Sequence, residues 1–218
     1  MDNLIISAKT STKNAIINYN IEICLILPYN LFSLLSTEKF NKLCKEGCPN
    51  YGKKWSCPPH TPSYQDFTEG WKSLYVLYMR TATDQFTYIK NNYLKIRAAN
   101  SILKSRADKF LRKMTEQNGK FISTGSCRLC RPCKCKSGAA CNHPTKMTFS
   151  FEALGVDVVL LVDTYFHVPL LWYKPNSLPE YTAVVCGLLT NEPFFDNMLY
   201  NEYMKYIENI DKLELSGK

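Results

Sequence analysis

Five cysteines fall within fifteen residues of this chain, in the run Cys127-Arg-Leu-Cys130-Arg-Pro-Cys133-Lys-Cys135-Lys-Ser-Gly-Ala-Ala-Cys141. Two intervening residues let a tight turn aim consecutive sulfurs at one centre, and thiolate is a soft ligand suited to zinc or to iron–sulfur clusters. Steps of three residues followed by a more distant cysteine match the loops that hold cubane iron–sulfur clusters. The predicted ligands are Cys127, Cys130, Cys133 and Cys141, with Cys135 spare or substituting. A four-cysteine zinc knot is the alternative, since Cys-x2-Cys pairs also suit tetrahedral zinc. The flanking Arg128, Arg131, Lys134 and Lys136 favour a cluster, because nearby cations stabilise the negative charge of a reduced thiolate-bound centre.

A second group, Cys44-x3-Cys48 and then Cys57, lies in a loop stiffened by Gly47, Pro49, Gly52, Pro58, Pro59 and Pro62. Three thiolates around a cubane leave one iron for a substrate, water or another ligand, and such an iron is a Lewis acid. His60 is a candidate fourth ligand, although an exposed loop histidine more often has no such role. Cys24 and Cys186 sit in apolar runs, where a buried free cysteine is ordinary.

The chain has 218 residues, ten cysteines, 45% hydrophobic and 21% charged residues. That cysteine density falls below the range of small disulfide scaffolds, and the length is enough to bury a core without staples. No stretch approaches the roughly 18 apolar residues of a membrane span. The start MDNLIISAKTSTKNAIINYN lacks the marks of a secretory signal, so the expected location is cytoplasmic, with thiols kept reduced. Reduced thiols this dense are an oxidation liability unless they are ligated.

The net charge of +8 is uneven. Residues 90–120 carry nine basic and two acidic side chains, and 126–146 carry five basic and none acidic, whereas 187–218 carry six acidic and three basic. A positive field beside the cysteines suits an acidic redox partner protein.

The elements that must position these loops follow from periodicity. Asn20–Pro28, Ser73–Arg80 and Tyr181–Leu189 read as strands, and Phe121–Thr124 as a short one leading into the second cysteine group. Leu31–Leu43 reads as helical, Ser63 as the N-cap of a helix over Ser63–Trp71, and Phe149–Leu154 as a helical turn. Thr87–Gly119 is predicted as a long helix, with an apolar stripe at Ile89, Tyr93, Ile96, Ala99, Leu103, Ala107, Phe110 and Met114 and basic residues opposite. Gly155–His167 is favoured as helix. Pro193–Leu213 is predicted as an amphipathic helix presenting Phe195, Leu199, Tyr206, Ile210 and Leu213. Together these predict an α/β fold, an α+β sandwich with a sheet of roughly four strands, in a split βαβ arrangement with the long basic helix inserted.

The loop Cys44-x3-Cys48-Pro-Asn-Tyr51-Gly52-Lys53 with Cys57-Pro58-Pro59 resembles the signature of a predicted metal-binding protein family, domain of unknown function 2284. So does Cys127-x2-Cys130-x2-Cys133 with Cys141-x2-Pro144, followed by Phe151-Glu152-Ala153-Leu154-Gly155-Val156-Asp157-Val158. The similarity extends over most of residues 20–190. It implies metal binding at these positions, iron–sulfur in type, without implying a reaction. Cys135 is additional to the family's usual ligand set, and the tail after about Thr190 looks like an extension. The expected organisation is therefore a cysteine-rich domain over 1–190 and a C-terminal helical extension over 191–218.

Three functions fit these features. The first is an iron–sulfur redox protein with one or two [4Fe-4S]-type clusters, passing electrons to a partner with an acidic surface. The second is an enzyme whose three-cysteine cluster has an open site for a small-molecule substrate, in sulfur transfer, desulfuration or dehydration, with Tyr51, Trp55 and His60 lining the pocket. The third is a zinc-stabilised module that contacts nucleic acid through the basic helix. The core-facing stripe of that helix makes its charges an ordinary solvated face, so neither nucleic acid nor a membrane is the expected partner. No catalytic acid–base pair stands out, since Asp157 and Asp163 do not share a helix face.

Overall fold

The computed structural model describes residues 3–115, 119–175, 177–192 and 198–207. Five strands form one sheet: β1 (Leu4–Ser11), β2 (Ile16–Ile26), β3 (Ser73–Ala82), β4 (Lys120–Ile122) and β5 (Tyr181–Thr190). Their order is β1-β2-β3-β5-β4, and every neighbouring pair is antiparallel. Because β3 and β4 both oppose β5, they run parallel to each other. The helix that joins them, α3 (Asn92–Thr115), completes the split βαβ unit.

The sheet has one strand more than expected. β1 pairs with β2 from Leu4 opposite Ile23 to Ser11 opposite Ile16, through a turn in which the Thr12 N–H donates to Ala15 O at 2.9 Å. Its side chains are exposed or half-exposed, as suits an edge strand, apart from the buried Ile6 and Thr10. Thr10 accepts from the buried Arg106 of α3, so one cation of the basic helix serves the interior rather than the solvated face.

Side chains alternate across β3 with the period of two that a strand imposes. Tyr75, Leu77 and Met79 face one core with Leu103, Ala107, Phe110, Leu111 and Met114 of α3. Leu199, Tyr203 and Tyr206, from the helical residues 198–207, join them. Leu74, Val76 and Tyr78 face the opposite core. There they meet Tyr64 and Phe67 of α2 (Tyr64–Thr68), Phe151 and Leu154, and Leu161, Val162 and Phe166 of α4 (Val158–Phe166). The long helix begins later than periodicity alone suggests. Asn91 caps it, its side chain accepting from Leu94 N–H at 3.0 Å, and Tyr93 is exposed while Ile89 lies before the first turn. Phe195, Ile210 and Leu213 lie outside the described residues.

The helix expected over Leu31–Leu43 is two pieces. Pro28–Leu34 is a 3-10 turn, and α1 (Thr37–Gly47) follows. The break is imposed from elsewhere in the chain. Leu35 forms a bridge with Val156, Ser36 N–H donates to Gly155 O at 2.7 Å, and Asp157 N–H donates to Leu34 O at 2.9 Å.

Candidate metal centre

The first cysteine group is mounted on α1. Cys44 sits in its last turns, and Cys48 caps it, donating its N–H to Cys44 O at 3.1 Å. A helical hydrogen bond of this kind sets two side chains four residues apart on one face. Cys57 is returned toward them by successive turns: Gly52 N–H donates to Pro58 O at 2.9 Å, Cys57 N–H to Lys54 O at 3.0 Å, and His60 N–H to Cys57 O at 3.1 Å. Gly52 holds a φ of 64°, where a side chain would be strained.

The three thiols influence one another. Burial raises the pKa of Cys44 above the ordinary thiol value, and Cys48, Glu152 and a hydrogen bond with Cys48 add to the rise. Burial pushes Cys57 up to about 11; Ser56 and Lys54 lower it in part, while Cys48 and Cys44 raise it. Thiols that oppose each other's ionisation are the group a cation reverses, since a bound metal deprotonates its thiol ligands.

The second group is an excursion from the end of β4 that leaves and re-enters at a narrow neck. Ser123 N–H donates to Phe149 O at 2.7 Å, and Ser123 bridges Ser150 in parallel. Between these points the chain has no regular element longer than the 3-10 turn Lys134–Ser137. Cys127, Cys130, Cys133 and Cys141 are all half-exposed, whereas Cys135 is buried. A cavity of about 560 Å³ beside the loop is lined in part by Cys130, Cys133, Arg131, Lys134, Lys136 and His143. His143 N–H donates to Cys141 Sγ at 3.4 Å.

The two groups are joined. Lys54 Nζ donates to Ser126 Oγ at 2.9 Å and to Cys127 O at 3.1 Å, and Cys127 N–H donates to Ser56 Oγ at 3.0 Å. Trp55 Nε1 donates to Ala139 O at 3.0 Å, and Cys135 Sγ donates to Gly52 O at 3.7 Å. Cys135 therefore faces the first loop. Burial raises its pKa, and Cys133 adds to the rise. His60 packs edge-on against Trp55, with ring centroids 4.7 Å apart, and Tyr51 is half-buried. Lys54, Ser56 and Ser123 escaped the reading by residue type, because a lysine or serine between cysteines carries no ligand signal of its own.

Cys24 and Cys186 stay in the sheet. Cys186 is fully buried, its Sγ donating to Leu77 O at 3.8 Å, and burial raises its pKa strongly. Among the described residues, no three His, Cys, Asp or Glu side chains stand close enough together to ligate one ion. The donors themselves fit a soft metal centre, since both groups offer thiols held on adjoining backbone.

A family model described as predicted metal-binding protein (DUF2284) matches residues 33–189, well over half of the chain. The chain belongs to this family. Both cysteine groups and the turn at 151–158 fall inside the matched residues, so metal binding is the property this family assigns to the region. No curated protein and no solved structure matches the chain significantly. Among the described residues, no helix is long and apolar enough to cross a membrane.

Proposed function

We propose that this protein is an iron–sulfur redox protein, with one cluster at Cys127, Cys130, Cys133 and Cys141 and a second at Cys44, Cys48 and Cys57. The observation that supports the reading is the joining of the two cysteine groups through Lys54, Trp55, Ser56 and Cys135, which sets them side by side on one support. Bound clusters of this kind supply one-electron transfer. The chain's own residues do the rest: thiols ligate, Lys54 and Trp55 hold the loops in register, and Arg131, Lys134 and Lys136 offer positive charge to an acidic partner protein.

A specific observation favours a second reading, an enzyme whose first centre keeps an exchangeable position for a small molecule. His60 is engaged with Trp55, and the first group has three thiols. Electron paramagnetic resonance of the anaerobically reduced protein tests both readings. Two signals are expected, of which Cys130→Ser removes one and Cys57→Ser the other. Unchanged spectra in both variants would overturn the assignment. A first-centre signal that shifts on addition of a small thiol would favour the second reading.

A further inference from the structure

Three cations from separate segments line one cavity of about 430 Å³. Its walls include Arg112 and Thr115 from the last turn of α3, Lys120 and Phe121 from β4, and Lys146 and Thr148 from the limb that returns from the second cysteine loop. Among the described residues no carboxylate lines it. It shares no residue with the cavity beside Cys130 and Cys133.

Arg112 and Lys120 are held in place by the fold. Arg112 Nη1 donates to Lys146 O at 3.4 Å, and the guanidinium lies over the Phe121 ring, 5.1 Å from its centroid. Lys120 Nζ donates to Phe67 O at 2.9 Å and stands 3.7 Å from the centroid of the Phe67 ring. Lys146 ends the 3-10 turn Pro144–Lys146, its N–H donating to His143 O at 3.2 Å. A guanidinium has five N–H donors and an ammonium three. Arg112 and Lys120 each use one of theirs in these bonds, so most remain for a ligand.

Other cations of the chain have carboxylate partners. Lys113, next to Arg112, pairs with Glu202 at 3.5 Å, and Lys39 and Arg80 pair with Asp157 and Glu22. Among the described residues, Arg112, Lys120 and Lys146 form no ion pair. Burial raises the pKa of Asp108, one turn before Arg112, while Arg112, Arg128 and Lys104 all draw it down. That single carboxylate is shared among three cations and lies outside the cavity wall. The end of α3 presents carbonyls, which repel anions, so any attraction comes from the side chains alone.

We infer that this cavity binds a phosphate dianion, free or carried at the end of a small molecule. Arginine takes phosphate oxygens in a bidentate fork, and lysine adds a point charge. Three positive charges without a carboxylate suit a dianion better than a monoanion. The volume falls in the range of small-molecule sites, roughly 300–1,000 Å³, so a phosphate ester fits it better than the bare ion. The site needs neither cysteine group loaded and stands apart from the redox reading.

Isothermal titration calorimetry of the anaerobically purified full chain tests this, with inorganic phosphate, ribose 5-phosphate, ribose and a short single-stranded oligonucleotide at constant ionic strength. Both phosphate probes should bind and ribose should not. Tighter binding of the ester assigns a small-molecule phosphate, and equal or tighter binding of inorganic phosphate assigns the free ion; either supports the inference. Arg112→Gln and Lys146→Gln should each weaken binding at least about tenfold. Lys109→Gln removes an exposed cation of the same helix outside the cavity and should change binding less than about twofold. Lys146 is itself exposed, so its substitution spares the fold where that of Arg112 disturbs it. No binding of either phosphate probe, or wild-type affinity in Lys146→Gln, would overturn the inference. So would ribose binding as well as ribose 5-phosphate, or the oligonucleotide binding more tightly than both phosphate probes, which would mark a nucleic-acid surface instead.

Discussion

The two cysteine groups sit side by side yet are supported in opposite ways. The first hangs from a helix: Cys44 and Cys48 belong to the end of α1, and Cys57 is buried beneath a chain of turns. The second is an excursion with a serine neck, half-exposed thiols and basic side chains around its cavity. The lesson is a division of labour. Ligands on regular elements are held to tighter geometry than ligands on loops. The first site depends on the fold beneath it, whereas the second can be wrapped by its own loop and leans on the first through Lys54, Trp55 and Ser56. Basic residues surround the second loop, whereas the first group has one buried thiol, Cys57, beside the half-exposed Cys44 and Cys48.

The contrast can be broken most forcefully where the start of α1 meets Gly155. Gly155→Ala places a Cβ against Thr37 in a left-handed backbone conformation. The combined strain and overpacking should cost about 2–5 kcal/mol, read by chemical denaturation. Metal loss in that variant should be greater at the first centre than at the second.

A smaller effect is expected at Asp157, which caps α4 and whose pKa is governed by opposing causes. Burial raises it, but hydrogen bonds from Lys39, Leu160 and Val159 and the charge of Lys39 outweigh burial, and the net shift is downward. A depressed carboxyl pKa contributes stability above the unfolded value of about 3.9, lost as pH falls through the folded value. Asp157→Ala should cost about 1–2 kcal/mol near neutral pH, and the gap to wild type should close as pH drops below about 4. Lys39 is 58% exposed, so water screens the ion pair and the cap bonds carry most of the effect. A gap independent of pH would contradict this account.

Trp55→Phe keeps an aromatic side chain, though a smaller one, and deletes the bond to Ala139, at a cost of about 1 kcal/mol. Its sharper readout is proteolysis, because the second loop should be nicked faster while the first is spared. Smallest is the change at Lys134 and Lys136. Replacing both by Gln should leave stability within about 0.5 kcal/mol, while slowing association with an acidic redox protein at low salt.

Much of the scaffold was legible because it obeys simple periods. β2, β3 and β5 were visible as apolar runs, α3 by its stripe, and α2 by Ser63, which accepts from Asp66 N–H at 3.1 Å. The element missed was β1, whose LIISAKTS mixes short apolar and polar residues and relies on β2 for its pairing. The split of the first helix was hidden too, since Leu35 and Ser36 answer to Gly155 and Val156 some 120 residues later. At the candidate site the thiols were legible by type and spacing. The bracing of the two loops through Lys54, Trp55 and Ser56 was not, because it depends on hydrogen bonds between residues 71 to 84 positions apart in the chain.

Metal and acid-labile sulfide content of the anaerobically purified protein tests the central claim most directly. About eight iron and eight sulfide per chain are expected, as two cubane clusters require. A colourless protein holding zinc and neither iron nor sulfide would contradict it.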